Sequence, residues 1–352
     1  GALVSGALPG RVAAARGRQA SVDAHTPRGG LFEHRAKLKK AFAKARGKWS
    51  RLWNYADTSA NKSVSDAAEG PDVGMFESQA NVSDICVAPL VQSRWGQIAV
   101  CGSYCFNYYS PNHYPCGCVA TAMAQLMRYH QHPTGAIGEH GFTIWVDDER
   151  ETAYTRGGDN GGAYQWSLMD MTPDCGTSSS QRRAIGALCF DAGISVNMSY
   201  HDDGSGADMG NINDALTSTF DYSNAIYGAD NSGISGSLLE KMINPNLDAG
   251  YPVILGITSP TVRGHAILAD GYGYNSSTLY HHLNMGWNGS EDAWYDLPDV
   301  IHWDTVVSCI YNVYRSGSGE IISGRITDVF GRPVSGAEVT AHSNAGTYYA
   351  TS

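Results

Sequence analysis

The sequence predicts an α+β domain in which a helix bearing a cysteine at its first position packs against a β-sheet bearing a histidine. Three observations lead to that reading. In Pro115-Cys116-Gly117-Cys118, proline and glycine break the backbone, and the stretch that follows to His130, rich in Ala, Met, Gln and Leu, favours helix without interruption. Residues 251–257 and 265–270 are short apolar runs with β-branched content, the pattern of buried strands. The chain has 352 residues, 42% of them hydrophobic, which is enough to bury a full core, and its length suggests two or three domains.

The helix and the strand each carry a chemical group. Cys118 stands at a helix start, where unpaired N–H groups and the positive end of the helix dipole favour the nucleophilic thiolate. A cysteine on an Ala-rich helix also reads as a small buried hydrophobe. Cys116 competes as nucleophile, yet only Cys118 stands directly before the unbroken helix. Val119, Ala122, Met123, Leu126 and Met127 recur at three and four residues and read as a core stripe. A thiolate needs a base, and His265 is a single histidine entering an apolar strand. Along that strand His265, Ile267 and Ala269 face one way and Ala266, Leu268 and Asp270 the other, so Asp270 is not expected to reach His265. His281 and His282 compete as base, but their adjacent positions beside an aromatic cluster read as structural.

The pattern Gly117-Cys118-Val119-Ala120-Thr121-Ala122, with Gln125 and Tyr129-His130 downstream, resembles the nucleophile motif of the streptopain family of papain-like cysteine peptidases. Further stretches resemble that family in the same order, across roughly residues 87–315: Tyr164-Gln165-Trp166, residues 191–198, Gly264-His265-Ala266 through Asp270-Gly271, and His282-Leu283-Asn284-Met285-Gly286-Trp287-Asn288-Gly289. The family usually has Trp where this chain has Met285. The resemblance implies a papain-like fold with an antiparallel sheet, Cys118 as nucleophile and His265 as base. Asn284 is the candidate that holds the imidazole in the tautomer keeping its other nitrogen toward the thiol. Gln97, in Trp95-Gly96-Gln97, is the candidate oxyanion donor beside the Cys118 N–H, the alternative being a bond to loop backbone. On the substrate side the resemblance points to Ser205, in a polar glycine-rich loop that otherwise reads as a surface turn, to Gly264, and to Trp287, which would cover the Asn284–His265 contact and exclude water.

Three regions are expected: a basic segment over 1–85, the peptidase domain over 86–315, and a partial β-sandwich over 320–352. Residues 1–55 hold twelve Lys and Arg against Asp23 and Glu33, a balance of +10, so with a total of −10 the remainder carries −20. Leu31, Leu38, Phe42, Ala45, Trp49 and Leu52 mark one face of an amphipathic basic helix, read as a solvated helix packed on its own neighbour, a pro-segment docked on its own acidic catalytic domain, or a membrane-surface helix, the pro-segment being favoured. The Ser, Ala, Asp and Gly-rich stretch 58–80 reads as a linker in which processing is expected. Helices are expected over 180–191, over 211–220 and ending near Asn244-Pro245, with loops and short strands over 134–180. After the linker Arg315-Ser316-Gly317-Ser318-Gly319, alternating residues 321–341 resemble the start of a carboxypeptidase regulatory-like domain, a C-terminal hairpin being the alternative.

Eight cysteines leave seven beside the nucleophile, and Cys101 with Cys105, or Cys101 with Cys116, would bridge in an oxidising compartment. The same cysteines with His113, His130 and His132 make a zinc site conceivable, although no Cys-x-x-Cys pair occurs. The reading reached is a secreted, extracellular cysteine endopeptidase acting on protein or peptide substrates through an acyl-enzyme, made as a zymogen, with no cofactor, no metal, no nucleic-acid partner and no membrane span. A catalytically silent adhesion or binding protein of the same fold is the alternative.

Overall fold

The computed structural model describes residues 2–5 and 82–351, apart from 262, 331, 333, 344 and 345. The expected basic helix, and the linker over 58–80, lie outside the described residues.

The centre is a seven-stranded sheet in which every strand pairing is antiparallel. Its strands are β2 (Asp84–Val87), β6 (Asn224–Ala229), β7 (Val253–Thr258), β8 (His265–Asn275), β9 (Thr278–Asn284), β10 (Ala293–Tyr295) and β11 (Thr305–Tyr314). The order is β10-β9-β8-β7-β11-β6, with β2 also on β8. Side chains alternate across this sheet and bury on both sides. Ile254, Ala266, Leu268 and Ile310 join one core, with helices α1 (Cys118–His130), α2 (Ser179–Ser195) and α3 (Ile212–Ser218). Val253, Leu255, Ile267, Ala269 and Cys309 join the other, with α4 (Gly236–Asp248). Coverage of both faces explains why the central strands read as continuous apolar runs.

Gly117 begins α1 at φ +91, and Gln131 ends it in the left-handed region at φ 47. A Ser178–Gln181 capping box starts α2. That helix runs a turn past the expected end, through Gly193. There a Cβ would come within 2.5 Å of the Tyr200 hydroxyl, so packing of Tyr200 on bare backbone outweighs glycine's propensity cost of about 1 kcal/mol. Likewise α4 continues through Pro245, its last turn held by Asn246, whose Oδ1 accepts from the Asn312 N–H at 2.9 Å and whose Nδ2 donates to Asn312 Oδ1 at 3.0 Å. The helix expected over 211–220 is the shorter α3.

A smaller sheet, β3 (Gly141–Val146), β4 (Glu149–Tyr154) and β5 (Ser199–Tyr200), supplies the short strands expected there. Beyond β11, β12 (Ile321–Gly324) pairs with β1 (Ala2–Ser5), and β13 (Glu338–Ser343) forms a hairpin with β14 (Gly346–Thr351).

The disulfide differs from both expected pairings. Cys101 bonds Cys175, with Cα atoms 5.3 Å apart. Cys105 and Cys116, the partners expected, are fully buried in the core, whereas Cys101 and Cys175 meet on exposed loops. The groups of the zinc reading are also dispersed: Cys101 is in the disulfide, His113 stacks on Tyr104, His130 meets the Tyr222 hydroxyl, and His132 meets the Asp221 carbonyl. Among the described residues no cluster of His, Cys, Asp and Glu could hold a metal ion, and no helix is long and apolar enough to cross a membrane.

Candidate active site

The residues singled out in sequence converge where the start of α1 meets the start of β8. Cys118 is the first residue of α1 and half-buried. Its sulfur is met by the backbone N–H groups of Ala266, Val119 and Cys118 itself, which pull the thiol pKa down, while burial, the stronger effect, pushes it up. Ala266 directly follows His265 in β8, so the strand that carries the candidate base reaches the start of α1.

His265 is buried and is the first residue of β8. Its Nε2 lies 2.9 Å from the Met285 carbonyl oxygen. A carbonyl only accepts, so Nε2 carries the proton and Nδ1 keeps its lone pair. Burial lowers the imidazole pKa to about 4, and the Met285 carbonyl opposes that shift. Trp287 stacks on the ring itself, centroids 4.9 Å apart. Trp303, which no sequence signal singled out, adds a second ring at 5.3 Å and donates from Nε1 to the Arg263 carbonyl at 2.8 Å. Its position in a coil gave no periodic pattern, so only the three-dimensional packing reveals it.

The Asn284 amide makes its hydrogen bonds elsewhere than to the imidazole. Its Oδ1 accepts from Gln125 Nε2 at 2.9 Å and from the Gly286 N–H at 3.1 Å, and its Nδ2 donates to the Ser93 carbonyl at 2.8 Å. The expected direct contact is therefore corrected: a main-chain carbonyl holds the ring. Asn284 acts one step removed, since the peptide unit whose N–H it binds, Met285–Gly286, is the unit whose carbonyl meets His265. Gln125 ties this arrangement to α1, its Oε1 accepting from Ser93 Oγ at 3.0 Å and from the Trp95 N–H at 3.2 Å.

Gln97 is buried, and its carbonyl accepts from the Cys116 N–H at 2.9 Å, fixing this segment to the loop that enters α1. Its side-chain amide takes no partner among the described residues. The Ser205 loop closes on β5 through paired Ser199 and Gly206 hydrogen bonds. A Cβ on Gly117 would approach Met198 Sδ at 2.9 Å and the Ser205 carbonyl at 3.1 Å, so the loop abuts the start of α1, and the Ser205 hydroxyl is buried with no hydrogen-bond partner among the described residues. Gly264 is exposed at the entry to β8. The competing histidines are engaged elsewhere: His282 Nδ1 lies 2.6 Å from Asp270 Oδ1, and His281 Nε2 lies 2.8 Å from Asn244 Oδ1. Asp270 faces away from His265, as strand parity requires.

Comparison with known proteins matches residues 95–295 to the family model described as Peptidase C10 family. Among curated relatives, the Thiol protease/hemagglutinin PrtT of Porphyromonas gingivalis is 34% identical over 177 residues, covering 50% of this chain and 20% of the relative. Streptopain of Streptococcus pyogenes is 30% identical over 192 residues, covering 53% of this chain and 46% of the relative. The chain thus spans less than half the length of these two relatives. The solved structure of active wild-type interpain A cysteine protease from Prevotella intermedia superposes with a TM-score of 0.54 at 25% identity, covering 67% of this chain and 99% of that one. A prointerpain A fragment from the same organism, at 22% identity and a TM-score of 0.51, shares the fold.

Proposed function

Since the chain belongs to the Peptidase C10 family and is a cysteine-type peptidase of papain-like fold, we propose that it is an endopeptidase working through Cys118 and His265. His265 Nδ1 takes the thiol proton, and the Cys118 sulfur adds to the peptide carbonyl carbon. The tetrahedral oxyanion is held by the Cys118 N–H and the Gln97 amide. The C–N bond then breaks as the imidazolium gives its proton to the leaving amine, and a thioester remains. Water, deprotonated by His265, attacks the thioester and expels the thiolate. Burial favours the neutral thiol and neutral imidazole at rest, while the three N–H groups and the Met285 carbonyl favour their ion pair. Ser205, Gly264 and Trp287 border the substrate in this reading.

The observation that carries the proposal is the Ala266 N–H on the Cys118 sulfur, which joins the candidate nucleophile and the strand of the candidate base. We further propose that the enzyme is secreted, that the basic segment within 1–85 docks on the acidic catalytic domain as a pro-segment, and that 320–352 opens a carboxypeptidase regulatory-like sandwich. The charge balance of +10 against −20 supports the docking, and the processing that would release the segment, between about Ala56 and Ile85, is tested by N-terminal sequencing of the active form, a start upstream of Arg46 overturning it. The deciding experiment for the chemistry is casein hydrolysis by reduced protein, beside Cys118→Ala and an epoxide directed at reactive thiols. Activity lost in the variant and blocked by the epoxide is expected. A folded protein lacking residues 1–85 that neither cleaves casein nor reacts would leave a silent binding protein instead.

A further inference from the structure

Both backbone polar groups of Met285 are occupied. Its carbonyl accepts from His265 Nε2 at 2.9 Å, and its N–H donates to Asp292 Oδ1 at 2.8 Å. Asp292 directly precedes β10, which turns back onto β9 with Ala293 opposite Leu283. The carboxylate therefore closes the loop that carries Met285 and Trp287, and it does so from the side opposite Asn284, which binds the next N–H at Gly286. Two side chains thus clamp the one stretch of main chain that holds the imidazole.

We propose that Asp292 is a positioning residue of the catalytic base: by anchoring the Met285 N–H it aims the Met285 carbonyl at His265 Nε2. The proposal rests on the Cys118–His265 reading above. The anchor fixes the tautomer with Nδ1 free, and it keeps the acceptor that favours the imidazolium form in place. Without it the loop between β9 and β10 retains Asn284 on the Gly286 N–H but loses its second hold, so the peptide unit that carries the carbonyl is fixed less firmly against the ring.

The charged and titratable groups facing Asp292 are His282 and Asp270 from the sheet and Arg94 from the segment ahead of α1. Burial raises its pKa to about 6, with the Met285 N–H, His282 and Arg94 pulling it down and Asp270 pushing it up. Above that value the carboxylate is charged and binds the N–H at full strength. As pH falls through about 6 the group gains a proton and accepts as a neutral carboxyl oxygen, so the contact weakens without being lost and the base is held less firmly.

The test compares wild type, Asp292→Asn and Asp292→Ala in casein or fluorogenic-peptide hydrolysis and in the rate of iodoacetamide alkylation at Cys118, from pH 4.5 to 8. The asparagine keeps an amide oxygen for the Met285 N–H and does not titrate; the alanine has no acceptor. For Asp292→Ala, kcat and the alkylation rate are expected to fall about tenfold with KM within about twofold, the scale on which a displaced catalytic group slows a reaction. Asp292→Asn is expected to stay within about threefold of wild type at pH 7 and to lose the acid-side decline near pH 6. Equal losses in both variants, an effect on KM alone, or an unchanged Asp292→Ala would overturn the proposal. Should Asp292→Ala fail to fold, the Asp292→Asn pH profile decides, and an undiminished decline near pH 6 refutes it. Wild type that does not alkylate at Cys118 refutes the thiol–histidine reading and this proposal with it, whereas a reactive wild type with an unaffected alanine variant refutes the positioning role alone.

Discussion

Replacing Gln125 with leucine tests whether the buried amide on α1 locks the site together. Leucine has nearly the same size and suits a fully buried helix position, so packing changes little and the loss is polar. Three hydrogen bonds disappear: from Ser93 Oγ, from the Trp95 N–H, and to Asn284 Oδ1. Asn284 Oδ1 keeps the Gly286 N–H and loses little. The Ser93 hydroxyl and the Trp95 N–H are left in the interior without acceptors, at about 1–3 kcal/mol each. Added apolar burial offsets part of this, and the expected net loss is about 3 kcal/mol, against a total stability of about 5–15 kcal/mol for a folded domain. The measurement is urea unfolding followed by Trp fluorescence in the Cys118→Ala background, which removes self-digestion through that thiol. With a slope of about 2–3 kcal/mol per M, the midpoint should drop by about 1–1.5 M. A midpoint within about 0.2 M of the parent would refute the reasoning, because it would mean that Ser93 and Trp95 find other partners or water at no cost.

Three more outcomes are expected. Gly117→Ala places a Cβ at φ +91, worth about 1–2 kcal/mol of backbone strain, and against Met198 and the Ser205 carbonyl; the thermal midpoint should fall by about 5–10 °C, and an unchanged scan would show that the loop yields freely. Iodoacetamide on native protein should label Cys118 and Cys86, which are half-buried, and reach Cys105, Cys116, Cys189 and Cys309 only after denaturation; peptide mapping that found Cys309 labelled early would contradict its burial. For His281, burial lowers the pKa from 6.5 to about 4, so the neutral ring contributes stability in full above pH 6.5 that is lost as pH falls toward 4. At about 1.4 kcal/mol per pH unit that amounts to about 3 kcal/mol, so His281→Gln should lose correspondingly less stability than its parent between pH 7 and pH 4.5 in urea titrations. Equal losses would place the acid sensitivity at His130 and His265, whose pKa values burial also lowers.

The readable parts of this molecule are those whose signals are local. A broken backbone at Gly117 followed by an uninterrupted helical run locates α1, and apolar runs locate β7 and β8, because secondary structure there follows from neighbours in sequence. Strand parity correctly separates Asp270 from His265 for the same reason. Contacts between distant segments are another matter. Nothing in the spacing favours Cys175, 74 residues along, over Cys105 or Cys116 as the partner of Cys101; the choice is made by which cysteines the core takes in. The extra turn of α2, through Gly193 to Ser195, depends on Tyr200 arriving from β5, which no propensity encodes.

Asn284 shows where reasoning from residue type reaches its limit. An asparagine amide is a sensible partner for an imidazole N–H, but its hydrogen-bonding capacity is finite, and here Oδ1 serves Gln125 and Gly286 while Nδ2 serves Ser93. The ring turns instead to an acceptor of the same chemical kind, a peptide carbonyl, which every residue carries and sequence therefore cannot single out. This also accounts for Met285 at a position where the resembling family usually has tryptophan. The contact with His265 is made by the main chain, so the side chain there is free to serve the core, and the buried Met285 side chain does so without altering the acceptor. The demand falls on whatever fixes the backbone at Met285 and Gly286, and the two side chains bonded to their N–H groups are Asp292 and Asn284.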